Sequence, residues 1–345
     1  MKCFNTAGVC IPKLNYMADT SAVIEQIIAR YVSPGKYFTI DRPRQCGKTT
    51  TLYLLEEQLK NDYIVLSLSF ESADELFVSL YTLAAGFIRK TARILKAQGI
   101  EGSILNDWQQ PISQEFPFDD LGQRITELCM SCGRDVILMI DEVDSASNNQ
   151  VFVDFLSILR KYYLGRDKMP IFHAVVLAGV YDIKNLKLKL RPETEHQYNS
   201  PWNIAAKFKV DMSFSANQIA TMLSDYEAHY HTGMDLREIA GEIYRYTSGY
   251  PVLVSAICKY IDEDLSGGDG FESMEGAWTR EGILRAVKAI LVDNVPLFES
   301  MIRHINEYPE MKKMFQAILF QGSEFSYNPD TKEINLAHMF GYAVD

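Results

Sequence analysis

The tripeptide Gly47-Lys48-Thr49 constrains this chain more than any other feature, because of what flanks it. Before it, Tyr37, Phe38, Thr39 and Ile40 are aromatic or β-branched, the residues that fit a pleated strand. Pro43 and Gly47 then punctuate a loop. After it, Leu52, Leu55 and Leu59 recur at helical spacing. Strand, glycine-bearing loop and helix in that order form the end of a P-loop. Main-chain N–H groups of residues 44–49 can converge there on phosphate oxygens, where the helix dipole is positive. Arg44, Gln45, Cys46, Gly47, Lys48, Thr49 and Thr50 are therefore the expected nucleotide contacts. Gly47 lets the main chain approach closely, Lys48 reaches the β- and γ-phosphates, and the Thr49 hydroxyl ligates Mg²⁺. The full pattern asks for Gly at position 42, where this chain has Arg42. Arg-Pro makes the same exit from the strand, since a following proline keeps the preceding residue extended. The plainer alternative is a βα turn with an exposed lysine.

A second stretch, Asp135 to Asp144, has the Walker B arrangement. Val136 to Ile140 are five consecutive apolar residues, the mark of a strand buried on both faces. The strand ends in Asp141-Glu142, at the edge of an open parallel sheet where ligands bind. Asp141 is expected to hold the Mg²⁺ shell and Glu142 to polarise the attacking water, with Asp144 a third carboxylate close by. Solvated acids at a strand end are the plainer alternative.

The remaining order supports a parallel sheet. Tyr63 to Phe70 reads as a strand completing a βαβ unit with the P-loop strand and helix. Asn149 to Tyr163 is an amphipathic helix and Ile171 to Gly179 a further buried strand. A helix and strand in that position after Walker B is the order of additional-strand P-loop ATPases. The strand tip, Ala178-Gly179-Val180-Tyr181-Asp182, carries no Asn, Ser or Thr where a γ-phosphate sensor is expected. Residues 99–118 read as a long loop, an insertion or lid. Lys184 to Arg191 alternates basic and apolar residues, either a solvated amphipathic edge or a place from which Arg191 or a lysine touches the phosphates. Trp202 is expected to pack and not to stack on a base.

From Ser213 the texture turns helical. The break Thr247-Ser248-Gly249-Tyr250-Pro251 sets Gly249 at a helix end and Pro251 in the next helix's first turn, and this Gly-x-Pro turn can bring a helix end towards the nucleotide. Tyr16 to Asp19 form an arm that can lie near the adenine. Ser266 to Gly270 reads as a flexible joint. Three helices follow, then two short strands around Asn328-Pro329-Asp330-Thr331, which together read as a winged-helix module truncated soon after Tyr342.

The chain's 345 residues exceed what one core usually organises. A net charge of −11 excludes a general polyanion binder and leaves a local basic patch open. The N-terminus has no signal-peptide run and no apolar stretch reaches the roughly 18 residues of a membrane span, so a cytoplasmic protein without a membrane partner is expected. The six cysteines, at 3, 10, 46, 129, 132 and 258, are expected as free thiols. Cys129 and Cys132 match no familiar zinc spacing with Cys3 and Cys10; Leu128 and Cys129 read as the apolar face of a helix ending near Gly133. Cys46, at a helix N-terminus, is expected to have a lowered thiol pKa and redox sensitivity.

On the strength of residues 42–49, 140–144, 177–182 and 247–251, the chain resembles the bacterial AAA-like ATPases of the AAA+ and STAND-like group, whose P-loop often begins Arg-Pro. The resemblance implies ATP and Mg²⁺ at Gly47, Lys48, Thr49, Asp141 and Glu142. The expected fold is an α/β P-loop NTPase, a parallel sheet flanked by helices, followed by a helical lid and a winged-helix-like C-terminal module. The expected divisions are an N-terminal arm and helix over 1–35, the core over 36–212, the lid over 213–265 and the last module over 271–345. The expected function is Mg²⁺-dependent ATP hydrolysis coupled to a conformational switch, with Lys48 and Glu142 as catalytic residues. The alternative is a nucleotide-gated module with little turnover that docks a DNA or protein partner through its C-terminal end. Oligomer formation is compatible with either. A P-loop kinase or GTPase is disfavoured by the lack of an Asn-Lys-x-Asp signature.

Overall fold

The computed structural model describes residues 1–146, 149–180, 201–268, 270–293, 296–328 and 331–343. The chain divides into two compact units. One comprises Met1–Val23, Arg42–Thr50 and Asp211–Asp345, the other Ile24–Asp41 and Thr51–Val210.

The second unit is built on a four-stranded parallel sheet of β1 (Tyr37–Asp41), β2 (Ile64–Ser69), β3 (Val136–Asp141) and β4 (Ala174–Gly179), in the order β1-β4-β3-β2. The β4 strand lies between β1 and β3, the extra strand expected from the order of elements. All residues of β3 and β4 are buried, as their unbroken apolar runs require. The register pairs Asp41 with Gly179, Ile140 with Leu177, and Ser69 with Asp141, so the strands' C-terminal ends share one edge.

Helices cover the sheet. In chain order they are α1 (Ser21–Ile27), α2 (Lys48–Leu59), α3 (Leu80–Ala97), α4 (Gly102–Trp108), α5 (Pro117–Ser131) and α6 (Gln150–Leu164). Ser79 and Thr82 form a reciprocal cap at the start of α3, and the Asn149 side chain accepts the Val151 N–H at the start of α6. The expected long loop over 99–118 is corrected: it contains α4 and is anchored. Trp108 is buried and its indole N–H donates to Thr91 Oγ1 at 3.1 Å. The Arg124 guanidinium donates to the carbonyls of Asp107, Gln110 and Pro111 at 3.0, 2.7 and 2.9 Å. Trp202 packs as expected, fully buried, its N–H donating to Thr39 Oγ1 at 3.0 Å. Lys184 to Arg191, Tyr181 and Asp182 lie outside the described residues.

The first unit is helical: α7 (Ala216–Tyr230), α8 (Leu236–Thr247), α9 (Pro251–Tyr260), α10 (Met274–Ala277), α11 (Arg280–Val292), α12 (Pro296–Glu307), α13 (Pro309–Gln321) and α14 (Lys332–Met339). Its core gathers Leu223, Ile243, Ile257 and Ile283 around an aromatic group of Phe4, Tyr16, Tyr226 and Trp278. The Phe4 and Tyr16 rings lie 5.0 Å apart and those of Tyr226 and Trp278 4.9 Å apart. The N-terminal arm is thus a structural strap: Tyr16 is 2% exposed within this core. Ser266 to Gly270, read as a joint, lies inside this unit, and Leu265 and Phe271 on its two sides enter the same core.

The expected strand pair near the C-terminus is corrected. Among the described residues, 322–328 are irregular and Lys332–Met339 is helical. The turn itself forms, the Asn328 carbonyl accepting the Thr331 N–H at 3.0 Å, but Ile334 and Ala337 are buried at helical spacing, so a helix and not a strand follows it; Pro329 and Asp330 lie outside the described residues. No helix among the described residues is long and apolar enough to cross a membrane.

Candidate nucleotide-binding site

The phosphate loop belongs to the helical unit. Gln45 and Gly47 have φ of +58° and +88°, and the residues between and beside them are not left-handed. This alternation turns successive N–H groups to one side, the main-chain concavity that holds anions. Lys48, 8% exposed, opens α2, and its ammonium donates to the carbonyls of Arg42 and Pro43 at 2.9 and 2.8 Å. An ammonium has three donors, so these two bonds fix the side chain against the loop without using all of them. Arg44, Gln45 and Thr49 are exposed. The Thr50 hydroxyl accepts the N–H of Cys10 at 3.0 Å, tying the N-terminal arm to the helix start.

Cys46 departs from expectation. It is buried, and that burial pushes its thiol pKa up in spite of Lys48 and Arg42 nearby. The dipole argument is outweighed because the thiolate would sit in a site closed to water. Among the described residues no group of three or more His, Cys, Asp and Glu side chains is arranged to hold a metal by itself, and the six cysteines are free.

The Gly-x-Pro turn reaches this loop. Gly249, at φ +73°, donates its N–H to Thr247 Oγ1 at 3.1 Å, and its carbonyl accepts the Phe214 N–H at 2.8 Å. The turn so fixed aims Tyr250 at the loop, where its hydroxyl donates to the Arg44 carbonyl. Burial, with Cys46 alongside, raises the Tyr250 pKa, so the phenol stays a donor. A β-carbon on Gly47 would come within 4.0 Å of Pro251 Cγ. Sequence reasoning singled out the turn but missed Tyr250 itself. From the other end of the chain, Gly341 lies so close to Pro43 that a β-carbon there would stand 2.7 Å from the proline ring.

The acids belong to the sheet unit. Asp141, 7% exposed, ends β3, and its Oδ1 accepts the Glu142 N–H at 2.8 Å. Glu142 is half-buried at φ +55°, a left-handed conformation uncommon outside glycine that clusters at functional sites. Asp144 Oδ2 accepts the Val180 N–H at 2.6 Å at the tip of β4. Sequence reasoning named Asp144 only as a neighbouring carboxylate; the Asp-Glu-x-Asp spacing was its signal.

A family model described as an AAA-like domain matches residues 15–332. The chain belongs to the AAA-like domain family. The solved Walker-type ATPase paby2304 of Pyrococcus abyssi is similar at 13% identity with a TM-score of 0.57, over 99% of this AAA-like chain and 94% of that one. The Aeropyrum pernix ORC2 protein, described in ADPNP-ADP complexes, is 13% identical with a TM-score of 0.49, over 93% and 84% of the two chains. Cdc6p from Pyrobaculum aerophilum is 16% identical with a TM-score of 0.46, over 97% and 84%. At these identities the first likeness shows a shared fold alone, and the other two carry no argument. No curated protein matches this sequence.

Proposed function

We propose that this AAA-like chain is a cytoplasmic Mg²⁺-dependent ATPase whose hydrolysis drives a conformational switch. The observation that carries the reading is Lys48, fixed to the Arg42 and Pro43 carbonyls beneath a main chain of alternating φ. Such a cup fits a triphosphate: N–H groups converge on it and a buried cation backs it. In this reading the main chain of residues 44–49 cradles the phosphates and Lys48 neutralises the β,γ-bridge. Thr49 and Asp141 supply the hydroxyl and carboxylate oxygens that a hard cation takes; Mg²⁺, when bound, spreads the phosphate charge. Glu142 orients water, whose oxygen bonds to the γ-phosphorus as the bond to the β,γ-bridging oxygen breaks. ADP leaves with that electron pair, and the water's proton passes to Glu142 or to the phosphate. Functionally, 36–212 is the ATPase core, 213–265 the lid and 271–345 a helical terminal module.

One observation favours a second reading, a nucleotide-gated module with little turnover that docks DNA or a protein through 271–345. The tip of β4, Ala178-Gly179-Val180, offers no polar side chain. A single-turnover ATPase assay, with and without DNA, separates the two. The first reading expects ATP cleavage by wild type, about 10²-fold slower cleavage at undiminished binding in Glu142→Gln, and lost binding in Lys48→Ala. Unchanged ATP affinity in Lys48→Ala refutes it. Light scattering with and without ATP-Mg²⁺ reads assembly in the same samples.

A further inference from the structure

Glu142 stands in a conformation that an isolated glutamate avoids, so something must hold it there. Its own N–H is accepted by Asp141 Oδ1 at 2.8 Å, and its carbonyl accepts the Ser145 N–H at 3.2 Å. Those bonds are internal to the turn and do not fix it in space. An external tie to β4 comes from Asp144, whose Oδ2 accepts the Val180 N–H at 2.6 Å. Val180 directly follows β4, a strand paired with β1 on one side and β3 on the other and buried throughout. The turn also lies flush against β4. A β-carbon on Gly179 would stand 2.9 Å from both Asp144 Oδ1 and Val143 Cγ2, and Gly179 does not have a positive φ, so room for the turn is what the glycine provides there.

We infer that Asp144 is a positioning residue for hydrolysis: by clasping the Val180 amide it fastens the left-handed turn to β4 and so aims the Glu142 carboxylate. The inference rests on the hydrolytic reading above. It requires the acceptor oxygen of Asp144 and the absence of a side chain at Gly179, and it places no demand on nucleotide affinity.

Three variants test it: Asp144→Ala, Asp144→Asn and Gly179→Ala. Each is assayed for ATP affinity, for single-turnover cleavage with Mg²⁺, and for hydrogen exchange at the Val180 amide. Loss of the clasp in Asp144→Ala should slow cleavage about 10²-fold, the cost of a misplaced catalytic group, while ATP affinity stays within about 3-fold. Gly179→Ala, which forces the carboxylate away, should do the same, and the double variant should be no slower than either single because both break one contact. Asp144→Asn keeps an acceptor and should restore most of the rate. Val180 exchange should accelerate about 10-fold or more in Asp144→Ala and Gly179→Ala and stay protected in Asp144→Asn.

Wild-type turnover in Asp144→Ala, or an Asp144→Asn as slow as Asp144→Ala, overturns the inference while leaving the ATPase reading intact. A wild-type protein that binds ATP and never cleaves it removes both. Should Asp144→Ala fail to fold, the pair Gly179→Ala and Asp144→Asn decides alone.

Discussion

Replacing Gly249 with alanine is the sharpest probe of how the Gly-x-Pro turn is built. A β-carbon there would stand 1.8 Å from the Phe214 carbonyl oxygen and 2.9 Å from its nitrogen. The neighbour is main chain, so no rotamer can relieve the clash; the two segments must part by roughly 1.5 Å to reach an ordinary C···O contact. That motion breaks the bond from Phe214 N–H to the Gly249 carbonyl, at 2.8 Å, and the bond from Gly249 N–H to Thr247 Oγ1, at 3.1 Å. Each lost bond costs about 1 kcal/mol. Holding alanine at φ +73° adds about 1–2 kcal/mol. The sum is about 3–4 kcal/mol, which lowers the melting temperature of a unit this size by about 10 °C. Thermal unfolding by circular dichroism measures the shift. Hydrogen exchange at the Phe214 amide should show the same opening, and ATP affinity should fall because Tyr250 loses its aim at Arg44. A variant that melts within one or two degrees of wild type, with Phe214 still protected, refutes the reasoning.

Four further outcomes are expected. Gly241→Ala, inside α8 where a β-carbon meets nothing within 4 Å, should stabilise the protein by about 0.5–1 kcal/mol; destabilisation in the same melts would contradict the geometry. Burial pushes the Tyr16 pKa up to about 12, so between pH 10 and 12 the unfolded chain sheds this proton first and stability falls as pH rises through that window, with no contribution below it. Tyr16→Phe should flatten that part of a urea-midpoint against pH curve, and an unchanged slope counts against it. Trp108→Ala should cost about 3–5 kcal/mol in chemical denaturation, since residues 99–118 are packed; a stable variant with altered turnover would restore the lid. Cys46 should react with a thiol reagent only at the rate of local opening, and immediate labelling of the native protein would show the thiol to be accessible.

The parts of the fold legible in the sequence were those where one physical demand acts alone. Val136 to Ile140 had to be a strand buried on both faces, because no other element of that length hides five apolar residues in a row. Gly249 and Pro251 announced a helix end and a helix start, and the turn between them did reach the phosphate loop. Readings failed where two demands competed. Beyond the turn at Asn328 and Thr331, which does form, a hairpin strand was expected, and the burial of Ile334 and Ala337 at helical spacing decided for a helix. At Cys46 the helix dipole stood against desolvation, and only the fold reveals that the thiol is enclosed. Trp108 sits in a stretch whose prolines and glycines read as loop, and its partner Thr91 is 17 residues away, beyond any local pattern. The Asp144 clasp was invisible for the same reason, since its partner is the main chain of Val180, 36 residues on.

Residues 42–50 are packed by segments far apart in the sequence, Cys10 upstream and Gly341 downstream. On a ribosome the loop emerges roughly 290 residues before Gly341 does, at synthesis rates of about 5–20 residues per second. The nascent protein therefore carries an unfinished phosphate cup until Gly341 has been made, and the cup acquires this packing only then.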